Sequence, residues 1–236
     1  LDQILDRIKS GDLRRGDSLP GERTIASQME VSRPTVSVAI DRLVEAGILR
    51  SGHGRAGNPE VVSIWIPAGL DDVDAESEAR LGPDSIFRVL EARKAVEPRV
   101  AQLAALRATD AHFQAMHEAI ELLRDPGNDV NRARQAESRF HRIMWRAADN
   151  RALEQMMKTL SKSLAPIHRL VLPSTEDYHV GIELHERTLH CLKTGTPAAI
   201  EREMIHHLER FETIVADLIQ RSPRRQVPDF LLPASE

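Results

Sequence analysis

LPGERTIASQMEVSRPTVSVAIDRLVEAGILRSGHGR, residues 19–55, decides the reading of this chain. Glu22–Met29 suits a short helix with Ile25, Ala26 and Met29 on one face, and Glu30, Val31 and Ser32 supply a tight turn. A second helix starts at Ser32, whose hydroxyl can cap it, with Pro34 in the first turn where a missing N–H costs little. Val36, Ile40, Leu43 and Val44 follow helical spacing and turn inward. That leaves Arg33, Thr35 and Ser37 near the exposed N-terminal end, the part of a recognition helix that enters a DNA major groove. Ala46-Gly47 predicts the helix end, because glycine readily takes the left-handed conformation of a C-terminal cap. Ile48, Leu49 and Arg50 open a strand, Gly52 to Arg55 form a turn, and residues 61–66 make a second strand. Helix, turn, helix and hairpin in that order predict a winged helix-turn-helix.

Upstream, residues 1–9 form an amphipathic helix through Leu1, Ile4, Leu5 and Ile8. Downstream, residues 67–83 are acidic and poor in large apolar side chains, which predicts a linker. Beyond them the text is helical. Asp84-Ser85 caps a helix through Ala105, interrupted or kinked at Pro98, and Thr109-Asp110 caps another to about Leu123. Further helices span 130–148, 151–172, 175–194 and 197–220, parted by Asp125-Pro126-Gly127-Asn128, Asp149-Asn150, Pro173-Ser174 and Gly195-Thr196-Pro197. Helices of this length predict an antiparallel bundle. The expected fold is therefore mainly α: a winged helix-turn-helix over 1–66, a linker over 67–82, an all-α bundle over 83–221 and a loosely ordered tail over 222–236.

Composition narrows the class. Hydrophobic residues at 41% and charged residues at 29% suit a globular protein, and 3% aromatics with strand-like alternation confined to the wing favour helix elsewhere. The single cysteine, Cys191, excludes an intrachain disulfide and fits a reducing compartment. No apolar run approaches the roughly 20 residues needed to span a bilayer, and no signal peptide is read at Leu1, so the cytoplasm is expected, with no membrane partner. Residues 1–66 hold nine basic and nine acidic side chains, which leaves the net charge of −4 to the remainder. A charge-balanced head is no general nucleic-acid binder; specific reading would need a local positive edge.

The bundle carries polar groups where its core should be apolar. In the last helix Ile200, Met204, Phe211, Ile214 and Leu218 form a stripe whose missing member is His207, while His206 is turned about 100° away. His185 completes the stripe of Ile182, Leu189 and Leu192, and Glu137 and His141, spaced i, i+4, share a face with Phe140, Met144 and Ala148. Three inward histidines and a carboxylate from three helices can converge on one metal ion, and the donor types suit zinc, nickel, iron or manganese. Each histidine can equally be a core group with a hydrogen-bond partner. Arg93 and Glu97 fall on the seam of Leu90, Val100 and Leu103, either as a buried ion pair or with Arg93 waiting for a carboxylate. A metal and a guanidinium facing one cavity would suit a small organic acid.

These stretches resemble the GntR family of bacterial transcription regulators, in its FadR-type subfamily with an FCD ligand-binding domain. The cues are LPGER (19–23), VSRPTV (31–36), DRLVEAGIL (41–49), LEARKAVEP (90–98), ESRFHRIMWRAADN (137–150), ELHERTLHCLKTGTPAA (183–199) and HHL (206–208). The resemblance implies DNA contact by Arg23, Ser32, Arg33 and Thr35, with His53, Gly54 and Arg55 at the wing. Ser37 stands where the family often has arginine. It also implies a divalent metal, zinc foremost, on Glu137, His141, His185 and His207, with Arg93 anchoring an effector carboxylate. Glu137 departs from the family's usual aspartate. Keeping all three histidines argues against the metal-free, acyl-CoA-binding branch. The subfamily's dimers imply a homodimer on a palindromic operator. The expectation is a metabolite-responsive regulator, usually a repressor, and not an enzyme. The competing readings are a metal-dependent enzyme acting on a small carboxylate, and a regulator with a purely structural metal.

Overall fold

The computed structural model describes residues 1–52, 58–67, 69–70, 83–172 and 174–220. The chain divides into two compact units that part between residues 75 and 76.

The N-terminal unit holds α1 (Asp2–Lys9), α2 (Glu22–Met29), α3 (Arg33–Glu45), β1 (Leu49–Arg50) and β2 (Glu60–Val61). Glu30 closes α2 in the left-handed region at φ 54°, which turns the chain sharply enough for α3 to start at Ser32. Ser32 Oγ accepts the Thr35 amide at 3.3 Å, and Gly47 at φ 69° turns the chain out of α3 into β1. Ile4, Leu5, Ile8, Ile25, Val36, Ile40 and Leu43 are buried together with Ile48, Leu49 and Val61. Val44, expected in this core, is only partly buried.

The second wing strand is shorter than its sequence predicts. β1 and β2 pair antiparallel, Leu49 opposite Val61 and Arg50 opposite Glu60, and the ladder ends there. Beyond Val61 the amides of Val62 and Ser63 both turn to the Ile48 carbonyl. Ser63 then bonds locally, its hydroxyl donating to the Trp65 carbonyl and accepting the Trp65 amide, so the backbone is diverted from the ladder. The outer edge of β2 meets the loop before α2 instead: Val61 N–H donates to the Asp17 carbonyl and Gly16 N–H to the Val61 carbonyl. The expected wing tip His53, Gly54 and Arg55, most of the linker, and the tail over 222–236 lie outside the described residues.

The C-terminal unit is helical among the described residues: α4 (Pro83–Arg107), α5 (Asp110–Arg124), α6 (Val130–Ala147), α7 (Arg151–Val171), α8 (Thr175–Thr194) and α9 (Pro197–Gln220). Thr109 is the N-cap of α5 as expected, whereas α4 already begins at Pro83, so the expected cap Asp84-Ser85 lies within its first turn. Asp129 accepts the amides of Asn131 and Arg132, Asn150 accepts that of Leu153, and Asn128 and Asp149 take positive φ at the breaks. α4 continues through Pro98 rather than ending at it. α4, α5, α6, α8 and α9 surround a core built on Val100, Ala104, Met116, Phe140, Met144, Trp145, Leu189, Met204 and Leu208. Among the described residues no helix is long and apolar enough to cross a membrane.

Candidate functional site

In the N-terminal unit the expected DNA-reading residues gather where α2 and α3 begin. Arg23 is exposed in the first turn of α2, and Ser32, Arg33 and Thr35 are exposed at the start of α3. The two hydroxyls lie 2.7 Å apart as part of the helix cap. Arg33 Nε donates to Glu22 Oε2 at 3.0 Å, and Ser37 Oγ donates to Glu22 Oε1 at 3.4 Å. With the arginine side chain 64% exposed, this ion pair is weak and a phosphate or base edge can displace it.

In the bundle, the three inward histidines converge. The rings of His141 on α6, His185 on α8 and His207 on α9 lie 4.7–5.3 Å apart between centroids, each edge-on to the others. One nitrogen from each falls within 4.8 Å of the other two. All three side chains are buried.

Their second nitrogens determine what they can do. His141 Nδ1 sits 2.8 Å from Glu97 Oε1, and His185 Nδ1 sits 2.6 Å from the Gly181 carbonyl. An ionised carboxylate and a carbonyl only accept, so both Nδ1 atoms carry the hydrogen. In neutral rings the lone pair then lies on Nε2. His207 Nδ1 lies 3.0 Å from Thr188 Oγ1, which can accept in the same sense. His185 Nε2 is buried without a hydrogen-bond partner among the described residues, as expected for a donor atom meant for something else. Outer groups that lock ring tautomers are the usual support of histidine metal ligands.

Glu137 enters through His141, its Oε1 3.5 Å from His141 Nε2, but it does not belong to the set that closes within 4.8 Å. Burial would raise its pKa, yet hydrogen bonding to His141 and the charges of His168, His141 and His185 hold it well below the carboxylate range. Burial lowers His185 to about 4 with the His141 charge beside it, and burial with the charges of His185 and His141 takes His207 well below its ordinary value. Both rings are neutral near pH 7, the form that binds metal. His141 goes the other way. Burial opposes its charge, but Glu97 and the hydrogen bonds to Glu137 and Glu97 raise it. Three imidazoles and a neighbouring carboxylate, with the ring nitrogens turned inward, fit a divalent ion of the zinc class.

Arg93 takes the ion-pair arrangement: Nε donates to Glu97 Oε2 at 2.5 Å, and Nη2 lies 3.5 Å from Glu97 Oε1. Arg93 lines a cavity of about 60 Å³. Glu137, His141, His185 and His207 line the same cavity. Glu97 itself is fully buried and also accepts from Trp145 Nε1 at 2.8 Å, so one carboxylate ties Arg93, His141 and Trp145 together. Helical spacing reveals the Arg93–Glu97 pair but not this link to α6, nor the contributions of Gly181 and Thr188. His168, buried on the cavity wall, is a further residue whose orientation spacing cannot supply.

A helix-turn-helix head followed by an all-helical domain is the organisation of a DNA-binding transcription regulator. Residues 1–57 match the bacterial regulatory proteins of the gntR family, and residues 88–210 match the FCD domain. The chain belongs to the GntR family of transcriptional regulators and carries an FCD domain. It is similar to the HTH-type transcriptional regulator LutR of Bacillus subtilis, 25% identical over 91% of this chain and 99% of the relative. It is 30% identical to the Exu regulon transcriptional regulator of Escherichia coli, over 87% of this chain and 79% of that protein. The solved structure of E. coli McbR/YncC shares the fold at a TM-score of 0.54 and 16% identity, covering 92% of this chain and 95% of that one. Domains and relatives alike are those of transcription regulators, not enzymes.

Proposed function

We propose that this GntR-family regulator is a cytoplasmic homodimer that binds a palindromic operator and changes that binding when a small carboxylate enters the cavity of its FCD domain. Arg23, Ser32, Arg33 and Thr35 would contact the DNA, with His53, Gly54 and Arg55 at the wing. Within the bundle, His141, His185 and His207 would hold a divalent metal with Glu137 completing the set, and Arg93 would pair with the effector carboxylate. A metal held there would supply a Lewis-acidic anchor for an effector oxygen.

The observation that carries this reading is the shared orientation of the three imidazoles. His185 presents Nε2 because the Gly181 carbonyl holds Nδ1, and that Nε2 is buried without a partner among the described residues, while His141, held at Nδ1 by Glu97, turns Nε2 to Glu137. A histidine that served only the core would have no reason to leave that nitrogen unpaired. Arg93 lines the same cavity, which suits an anion bound beside the histidines. Repression fits if the acid binds the DNA-released arrangement better than the DNA-competent one.

Metal analysis of the purified protein, followed by thermal unfolding against small carboxylates before and after chelation, tests the proposal. Near-stoichiometric metal, with one acid raising the midpoint only in the metal-loaded protein, supports it; an acid at 100 times its Kd would add about 2.7 kcal/mol. An acid response that survives chelation would remove the metal from the ligand site. Loss of stability on chelation with no acid response would favour a structural ion.

A further inference from the structure

One histidine on the cavity wall is left unused by this ligand set. His168 of α7 stacks on Phe211 of α9, the rings 4.1 Å apart between centroids and 16° from parallel. The residue is 9% exposed, and its Nδ1 is enclosed with no hydrogen-bond partner among the described residues. It stands outside the set of nitrogens that close within 4.8 Å of one another. Stacking fixes the plane of the ring on a wall that also carries Leu172, Tyr178, Leu184, Arg210 and Ile214. Burial lowers its pKa to about 4, so the ring is neutral and offers one N–H together with one lone pair.

The surroundings bias what it can receive. Arg210, the residue before Phe211, lines the cavity. The Glu137 carboxylate is the largest charge acting on His168, and Arg93, His141 and Arg134 act on it as positive charges. A buried N–H in positive surroundings is matched by an anionic oxygen. Resting on the carboxylate-effector reading above, we infer that His168 reads a second carboxylate, so that the cavity selects a short dicarboxylic acid with one end on Arg93 and the other on His168.

Succinate and butyrate separate the cases, because they share a four-carbon chain and differ in the second carboxylate. Calorimetric titration of the metal-loaded, full-length protein should show succinate binding at least about tenfold tighter, the share of a charged hydrogen bond. His168→Phe keeps an aromatic ring on Phe211 and should abolish that preference while leaving metal content and butyrate binding unchanged. In wild-type protein labelled with nitrogen-15 histidine and loaded with zinc, succinate but not butyrate should shift the His168 Nδ1 resonance, a readout that needs no variant. Equal affinities in the wild type, an unmoved resonance, or a preference retained by His168→Phe would overturn the inference alone. Reduced metal content in the variant would also overturn it, by making His168 a metal ligand. If neither acid binds the wild type, the carboxylate reading falls and this inference with it.

Discussion

Replacing Glu97 by glutamine probes how the site is built. The carboxylate is fully buried and faces three donors: Arg93 Nε at 2.5 Å on Oε2, and His141 Nδ1 and Trp145 Nε1 at 2.8 Å each on Oε1. A glutamine has one acceptor oxygen and one NH2 group. If the oxygen keeps His141 and Trp145, the amide nitrogen meets Arg93 donor to donor; if it flips, His141 and Trp145 lose their acceptor. Either way Arg93 becomes a buried cation that has lost its hydrogen-bonded counter-charge and keeps only the more weakly acting Glu137. Breaking a buried pair in this manner costs about 3–5 kcal/mol, a large fraction of the roughly 5–15 kcal/mol that holds a domain together. His141 also loses the charge that raises its basicity, and loss of such an outer partner lowers metal affinity by about 10–100-fold. Urea denaturation of the metal-free protein measures the first effect, and competition against a chromophoric chelator measures the second. A stability loss with metal affinity unchanged would refute the reasoning, because Glu97 would then serve only the Arg93 pair.

Three further outcomes are expected. His185→Ala should lower bound metal and weaken the acid response while metal-free DNA binding persists; unchanged metal content on elemental analysis would show that the ligand set is wrong. Arg33→Ala should abolish specific binding in a gel-shift assay with fold and oligomeric state intact, because the charge it removes stands exposed at the start of α3; retained binding would misplace the recognition helix. In the metal-free protein, His168, His185 and His207 have folded pKa values below the ordinary 6.5. Their contribution to stability is therefore present above about pH 6.5 and is lost as pH falls toward 4. His141, raised, works in the opposite sense, being fully stabilising below 6.5, but it is one group against three. Unfolding midpoints that rise on acidification across that window would contradict this balance.

Much of this architecture is legible from local chemistry. The caps at Ser32 and Thr109, the break at Asp149-Asn150 and Gly47 sit where the chain enters or leaves helices, because capping depends on a few adjacent residues. The inward turn of His141, His185 and His207 is equally readable, since each fills a gap in an apolar stripe. Position 206, one residue away, is exposed as the same geometry requires. What stays hidden depends on other elements. Leu208 and Val215 share the buried face of α9 beyond the expected stripe, because α4 and α8 together cover a broader arc. The shortened β2 reflects the competing carbonyl of Ile48 and the side chain of Ser63. The tautomer locks come from Glu97 on α4, the Gly181 carbonyl and Thr188 on the helix facing α9, partners that no spacing rule within one helix can identify.

The most direct test is the affinity of the metal-loaded protein for a duplex selected from random DNA, measured by fluorescence anisotropy while a stabilising dicarboxylate is added. The account predicts that the acid changes this affinity about 5–150-fold, the usual range of such coupling, and that the change vanishes after chelation and in His185→Ala. A change of the same size without metal, or DNA binding indifferent to an acid that stabilises the protein, would contradict it.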